Sequence, residues 1–140
     1  MKVIVVGGGK VGYYLVKTLI EHGHSPMVIE ANKDTCSYVA NSLDIPAICG
    51  DGTTLEVLES AEVERCDAFV SVTGQDENNL IACQLAKKHF HVKRTVAKVN
   101  NPRNLEVMRQ LGIDIAVSST DSIARLIERE GDTSAIKQII

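Results

Sequence analysis

Tryptophan is absent from this 140-residue chain, and its other aromatics are three tyrosines and two phenylalanines. So few rings argue against a stacking platform for single-stranded nucleic acid. Positive charge is not in excess. Fifteen Lys and Arg stand against eighteen Asp and Glu, a net −3 with four neutral histidines. Such a balance gives no polybasic surface for a phosphate backbone, so no nucleic-acid partner is expected. No apolar run reaches the roughly 18 residues of a membrane span. The opening Met1-Lys2-Val3-Ile4-Val5-Val6 meets glycine too soon for a signal peptide. Four cysteines stand at 36, 49, 66 and 83. None forms a Cys-x-x-Cys pair, so no metal site is expected. Without a secretion signal the expectation is reduced cytosolic thiols, packed as small buried hydrophobes. Neither Gly-x-Ser-x-Gly nor a Walker lysine motif occurs.

What is present is an alternation of short apolar runs with longer amphipathic ones. Hydrophobic residues make up 44% and charged residues 24%, ordinary values for one globular domain. Strands are expected at 3–6, 27–29, 47–49, 68–72, 95–97 and 113–117. Most lack polar alternation, as strands buried on both faces do. Val11, Tyr14, Leu15, Thr18 and Leu19 form a stripe at helical spacing. Further helices are expected near 33–42, 54–60, 76–89, 102–111 and 119–130. Gly23 and Gly112 are candidate helix stops, and Thr120 or Asp121 a cap for the last helix. Alternating strands and helices predict an α/β fold: a Rossmann-type doubly wound parallel sheet of about six strands. Residues 1–130 would be this single domain, with 119–130 as a C-terminal crossover helix. Residues 131–140 would be a tail, either a docking segment or the start of a further lobe.

Gly7-Gly8-Gly9-Lys10-Val11-Gly12 matches G-x-G-x-x-G between an expected strand and an expected helix. In that setting Gly7 permits the turn, Gly9 admits a pyrophosphate, and Gly12 lets the helix pack close to the sheet. The helix start offers free N–H groups and a partial positive charge to phosphates. Glu30 ends the second strand 18 positions after Gly12, where an acid accepts from ribose hydroxyls. Its charge repels a 2′-phosphate, and neither Ala31 nor Asn32 beside it is an arginine. NAD(H), ADP or ATP is therefore favoured over NADP(H), with Lys33 the nearest opposing charge. Gly50-Asp51-Gly52-Thr53 follows the third strand and should flank the base. Asp51 stands there either as an acceptor for the adenine amino group or as a helix cap. Thr73 and Gly74 follow the fourth strand, bordering a distal phosphate or second ribose. Asp76 is read first as an N-cap. Lys98 ends the fifth strand, as a phosphate partner or a solvated lysine.

No acid/base or nucleophile stands beside these residues, and no catalytic residue is assigned. His22, His24, His89 and His91 fall in helix-to-strand connections on the opposite rim and are expected at the surface.

Together the segments Val3–Gly12, Met27–Glu30, Gly50–Thr53, Val72–Leu80, Ala97–Pro102 and Leu111–Asp114 resemble the RCK/KTN family, the TrkA-N nucleotide-binding domains of potassium channels and transporters. The resemblance covers about 1–130. It implies a regulatory subunit that gates a membrane potassium transporter or channel, not an enzyme. It also implies a homodimer or larger ring, cytoplasmic and held at the inner membrane face through its partner. The ligands implied are NAD(H), with ATP or ADP as alternatives. Gly7, Gly8, Gly9, Lys10, Val11, Gly12, Glu30, Ala31, Asp51, Gly52, Thr73, Gly74 and Lys98 form the candidate binding set. Lys10 and Lys98 stand where the family often has arginine; lysine keeps the charge but loses the planar two-point grip on phosphate. The alternative is the nucleotide-binding domain of an NAD-dependent oxidoreductase without its catalytic lobe. A third reading is a free-standing redox or nucleotide sensor.

Overall fold

The computed structural model describes residues 1–118. Strands β1 (Lys2–Val6), β2 (Ser25–Glu30), β3 (Ala47–Cys49), β4 (Ala68–Ser71), β5 (Thr95–Lys98) and β6 (Ile115–Val117) make one sheet. Its order is β3-β2-β1-β4-β5-β6 and every pair is parallel. Helices α1 (Lys10–Glu21), α2 (Lys33–Leu43), α3 (Leu55–Ser60), α4 (Asp76–Lys88) and α5 (Leu105–Gln110) alternate with the strands. The expected doubly wound α/β sheet is the one found. The expected crossover helix over 119–130, with its caps, and the tail 131–140 lie outside the described residues.

The layers follow from the two-residue period of a strand. In β1, Val3 and Val5 point to one face, where Leu15, Val16 and Leu19 of α1 and Val39 of α2 cover them. Ile4 and Val6 point to the other, packed with Leu58 of α3, Ala82, Cys83 and Ala86 of α4, and Met108 of α5. Phe69 of β4 is fully buried within this second layer. Both faces of the central strands are therefore dry, which explains their unbroken apolar sequence.

Boundaries shift where local chemistry intervenes. The helix expected over 102–111 begins as a 3₁₀ turn, Pro102–Asn104, and becomes α-helical only from Leu105. The last strand starts at Ile115, because Ile113 N–H still closes α5 on Met108 O at 3.3 Å. Gly23 and Gly112 follow α1 and α5 as expected, their N–H groups bonded to Ile20 O (3.0 Å) and Arg109 O (3.1 Å).

Two expectations about single residues are overturned. Cys36 and Cys49 are joined in a disulfide with Cα atoms 5.7 Å apart, not left as reduced thiols. Cys49 is exposed and Cys66 half-buried, so buried packing holds for Cys36 and Cys83 alone. The crossover that lays α2 against β3 makes this pair, a tertiary relation that spacing along the chain does not reveal. His24, expected at the surface, is 6% exposed. Its Nδ1 lies 3.1 Å from the Met1 ammonium. Burial, with the nearby ammonium and His22 adding to it, holds its pKa below the ordinary histidine value. His89 and His91 are exposed.

Candidate functional site

Val6 is in register with Ile29 on one side and Ser71 on the other. The chain leaves these neighbouring strands together but in diverging directions, because the order reverses at β1. That divergence opens a crevice at the strands' C-terminal ends. The loops stay tied to the sheet at its mouth: Gly7 N–H donates to Ile29 O (2.8 Å) and Val72 N–H to Val6 O (2.9 Å).

Gly7 turns the chain out of β1 with φ +111°, a region that side chains rarely tolerate. Gly12 faces that turn so closely that a Cβ there would lie 1.7 Å from Gly7 O. The nearest side chain, that of Val72 just past β4, would be 3.8 Å away. The third glycine of the motif thus lets the start of α1 close onto the Gly7 carbonyl, which follows directly on β1. Gly9 differs again: a Cβ on it would meet nothing within 4 Å. It is the N-cap of α1 and has no capping side chain. The first bond of the helix runs from Tyr13 N–H to Gly9 O at 2.8 Å. The N–H groups just before Tyr13 are left for an acceptor outside the helix, at its positive end.

Glu30, half-buried at the end of β2, reaches into this turn. Its Oε1 accepts from Gly8 N–H at 2.6 Å and its Oε2 from Asn32 N–H at 2.7 Å. An ionised carboxylate has about four acceptor sites, so two further donors can still be met. The acid therefore ties the glycine loop to the start of α2, where Asn32 caps the helix by accepting Thr35 N–H at 2.9 Å.

On the β3 side, Asp51 Oδ1 accepts from Thr53 N–H (2.9 Å) and Thr53 Oγ1 (2.6 Å). These bonds, the hydroxyl's first, hold the carboxyl below its ordinary pKa against a small opposing effect of burial. The N-cap of α3 is Thr54, so the Asp51 carboxylate does not cap that helix as one of its two expected roles required. On the β4 side, Asp76 is not an N-cap either. Gln75 holds that position, and Asp76 begins α4. Its carboxylate accepts from Asn100 N–H (2.6 Å), Asn100 Nδ2 (3.0 Å), Asn101 N–H (2.9 Å) and Asn104 Nδ2 (2.8 Å). Burial raises the Asp76 pKa, but these four donors outweigh it and the net shift is downward.

Asn79, fully buried, completes the frame. Its Oδ1 accepts from Ser71 Oγ (2.8 Å), Thr73 N–H (3.0 Å) and Thr73 Oγ1 (2.7 Å). Its Nδ2 donates to Thr73 O (3.0 Å) and Lys98 O (2.8 Å). Asp76 and Asn79 together lock the loop after β4 to the loop after β5. Their signal in the sequence was the clustering of Asn and Asp at both strand ends.

These loops enclose a cavity of about 430 Å³. Of the expected residues, Gly7, Gly9, Lys10, Val11, Gly12, Glu30, Ala31, Asp51, Gly52, Thr73, Gly74 and Lys98 all line it. Gly8 does not. It faces Glu30 and borders a neighbouring hollow with Tyr13 and Tyr38. Gly50 and Thr53, of the turn expected to flank the base, also line the main cavity, as do Val6, Ile29, Val72 and Asn78 from outside the candidate set. Lys10 and Lys98 form no ion pair among the described residues. A separate cavity of about 490 Å³ lies at the opposite rim, among Ile20, His24, Met27 and Cys66, and none of the expected residues lines it.

A 3-2-1-4-5-6 parallel sheet with a glycine turn and a strand-end acid at its switch point defines a Rossmann-type domain. More particularly, the chain belongs to the TrkA-N domain family, which it matches over residues 3–119. It is 37% identical over 129 residues to the Trk system potassium uptake protein TrkA homolog of Methanothermobacter thermautotrophicus. That similarity takes in 92% of this chain and 59% of the relative, so the chain spans well under two thirds of the relative's length. Among solved structures it superposes on the TrkA-N domain of the inner membrane protein ybaL from Escherichia coli with a TM-score of 0.78. Identity there is 17%, covering 92% of this chain and 95% of that one. The GsuK channel bound to NAD gives a TM-score of 0.76 at 19% identity, covering 90% of this chain and 23% of that one.

Proposed function

We propose that this chain is the nucleotide-binding regulatory domain of a potassium transport system, taking NAD(H), ADP or ATP as an effector. The observation that carries this reading is the cavity at the switch point. Twelve residues named from the sequence as nucleotide contacts line that one space. The α1 N-terminus and the glycine turn receive the phosphates, and Glu30 receives the ribose hydroxyls with its remaining acceptor sites. Asp51 and Gly52 flank the base, while Thr73, Gly74 and Lys98 meet the distal half. The potassium uptake relative and the NAD-bound channel support the choice of ligand and of physiological setting.

The nucleotide is a signal here, not a reactant. The site holds phosphates and ribose, and nothing it offers acts as acid or base on a reacting bond. Ligands that share the adenosine half differ at the distal end, where Lys10 and Lys98 lie. A gate needs only that two ligands favour two conformations differently. The partner is a membrane potassium transporter or channel subunit, and the domain sits at the cytoplasmic face as a homodimer or ring. Among the described residues no helix is long and apolar enough to cross a membrane. Residues 1–130 are read as the nucleotide-binding unit.

The test reconstitutes the native protein with its membrane partner and measures potassium flux under each nucleotide. Flux that changes between NADH, ADP and ATP, with the nucleotide recovered intact, is expected. Flux indifferent to all three, or stoichiometric oxidation of NADH by a small-molecule substrate, would favour the oxidoreductase instead.

A further inference from the structure

Cys36 and Cys49 join two elements that border the nucleotide cavity. Cys36 lies one turn into α2, its N–H bonded to Asn32 O at 2.9 Å. Asn32 in turn gives its own N–H to Glu30 Oε2 at 2.7 Å. Cys49 ends β3 in register with Glu30, and Gly50 N–H, next along, donates to Glu30 O at 2.9 Å. The disulfide thus closes a ring of bonds around Glu30. One arm of that ring continues into Gly50, Asp51, Gly52 and Thr53, which line the cavity.

That arm is weakly held by the sheet alone. β3 is an edge strand of three residues, paired to β2 at three positions, with Ala47 and Ile48 only half-buried against the two layers and Cys49 exposed. Strands this short at an edge depend on what else holds them. Here the covalent tether is the bond to Cys36, which is 1% exposed on α2.

The two sulfurs differ in access. Cys49 is exposed and Cys36 is not. An incoming thiolate therefore reaches the Cys49 sulfur, with Cys36 as the leaving group. The other two thiols take no part. Burial pushes Cys66 up to about 12 and Cys83 higher still, so both stay protonated.

We propose that the Cys36–Cys49 pair is a reversible redox-modification site that sets nucleotide affinity, the disulfide form binding more tightly because it holds the Gly50–Thr53 turn in place. This rests on the reading of the cavity as a nucleotide site. In reduction, one thiolate of a dithiol attacks Cys49 Sγ, and the electron pair of the S–S bond leaves on Cys36 Sγ, which takes up a proton. The second thiol of the dithiol, on losing its proton, displaces Cys49, which is protonated in turn. The dithiol becomes a cyclic disulfide and the protein gains two electrons and two protons. Oxidation is the reverse, with a small-molecule disulfide as acceptor.

The experiment titrates ADP into the full 140-residue chain after equilibration with oxidised or with reduced dithiothreitol. Intact mass after alkylation counts the free thiols in each sample. Two free thiols in the oxidised form and four in the reduced form are expected, with ADP bound at least about fivefold more tightly by the former. Linkage then requires saturating ADP to shift the protein's thiol–disulfide equilibrium toward the disulfide by the same factor. Cys49→Ser should bind as the reduced form does and ignore the oxidant. Equal affinity in the two forms, or four free thiols under oxidising conditions, overturns the switch while leaving the nucleotide site standing. No binding of ADP, ATP or NADH to either form removes the nucleotide reading, and the switch with it.

Discussion

Gly8 N–H and Glu30 Oε1 lie 2.6 Å apart, so the acid at the end of β2 holds the glycine turn. The same carboxylate reaches Asn32 N–H with its other oxygen. Glu30 is therefore both a candidate ribose acceptor and a brace between the phosphate loop and α2. Glu30→Ala removes charge-assisted bonds worth roughly 1.5–3 kcal/mol. Affinity for NADH and ADP should fall by about tenfold or more, read by titration calorimetry. Undiminished binding of both would take Glu30 out of the site.

The motif's last two glycines should separate cleanly by mutation. A Cβ at Gly12 would collide with Gly7 O at 1.7 Å, so Gly12→Ala should destabilise the domain by more than the roughly 1–3 kcal/mol of ordinary overpacking. A Cβ at Gly9 meets nothing, so Gly9→Ala should melt like the parent while losing phosphate-bearing ligands. Thermal melts paired with binding curves check both. A destabilised Gly9→Ala, or a Gly12→Ala that melts normally, would contradict the loop geometry.

Asp76 acts through the loops it joins. Asp76→Ala unpairs donors on Asn100, Asn101 and Asn104, and stability should drop by about 1–3 kcal/mol. Amide exchange should speed at Thr73 and at Asn100–Asn101 while the α1 core stays protected. Exchange unchanged at these positions would show that the clamp does not hold the loops.

Acid stability has a specific source in Asp114. Its carboxylate pairs with Lys87 and accepts from Thr95 N–H at 2.9 Å and Thr95 Oγ1 at 3.0 Å. Burial would raise its pKa, but Lys87 and Thr95 outweigh it and the folded value lies below the ordinary one. The unfolded chain then binds the proton first as pH falls below about 3.9. The stabilisation is present above that pH and is lost as pH descends through the lower folded value. Asp114→Asn should be less stable at neutral pH and show a shallower loss below pH ~4 in denaturant melts. An acid limb as steep as the parent's would assign that loss to other carboxylates.

Much of this was legible in one dimension because the signals are local. Alternation of Val3–Val6 with the stripe of Leu15 and Leu19 gives strand and helix directly, and the spacing from Gly12 to Glu30 marks a βαβ turn. What the sequence hid is what depends on crossing between elements. Cys36 and Cys49 meet only once α2 lies against β3. Asp76 looked like a cap because its nearest neighbours in the chain are helical. Its real partners lie 24 to 28 residues away. Gly8 belongs to the motif, yet its N–H is committed to Glu30 and it does not line the cavity.

The central claim is that the switch-point cavity binds an adenosine nucleotide as an intact effector. Side-by-side calorimetric titration of ADP into the parent chain and Gly9→Ala tests it most directly, with the nucleotide recovered afterwards by chromatography. Saturable binding of one ADP per chain to the parent, its loss in an equally stable Gly9→Ala, and unaltered ADP at the end are the expected results. Equal binding by the two proteins, or no saturable binding of ADP by the parent, would contradict it.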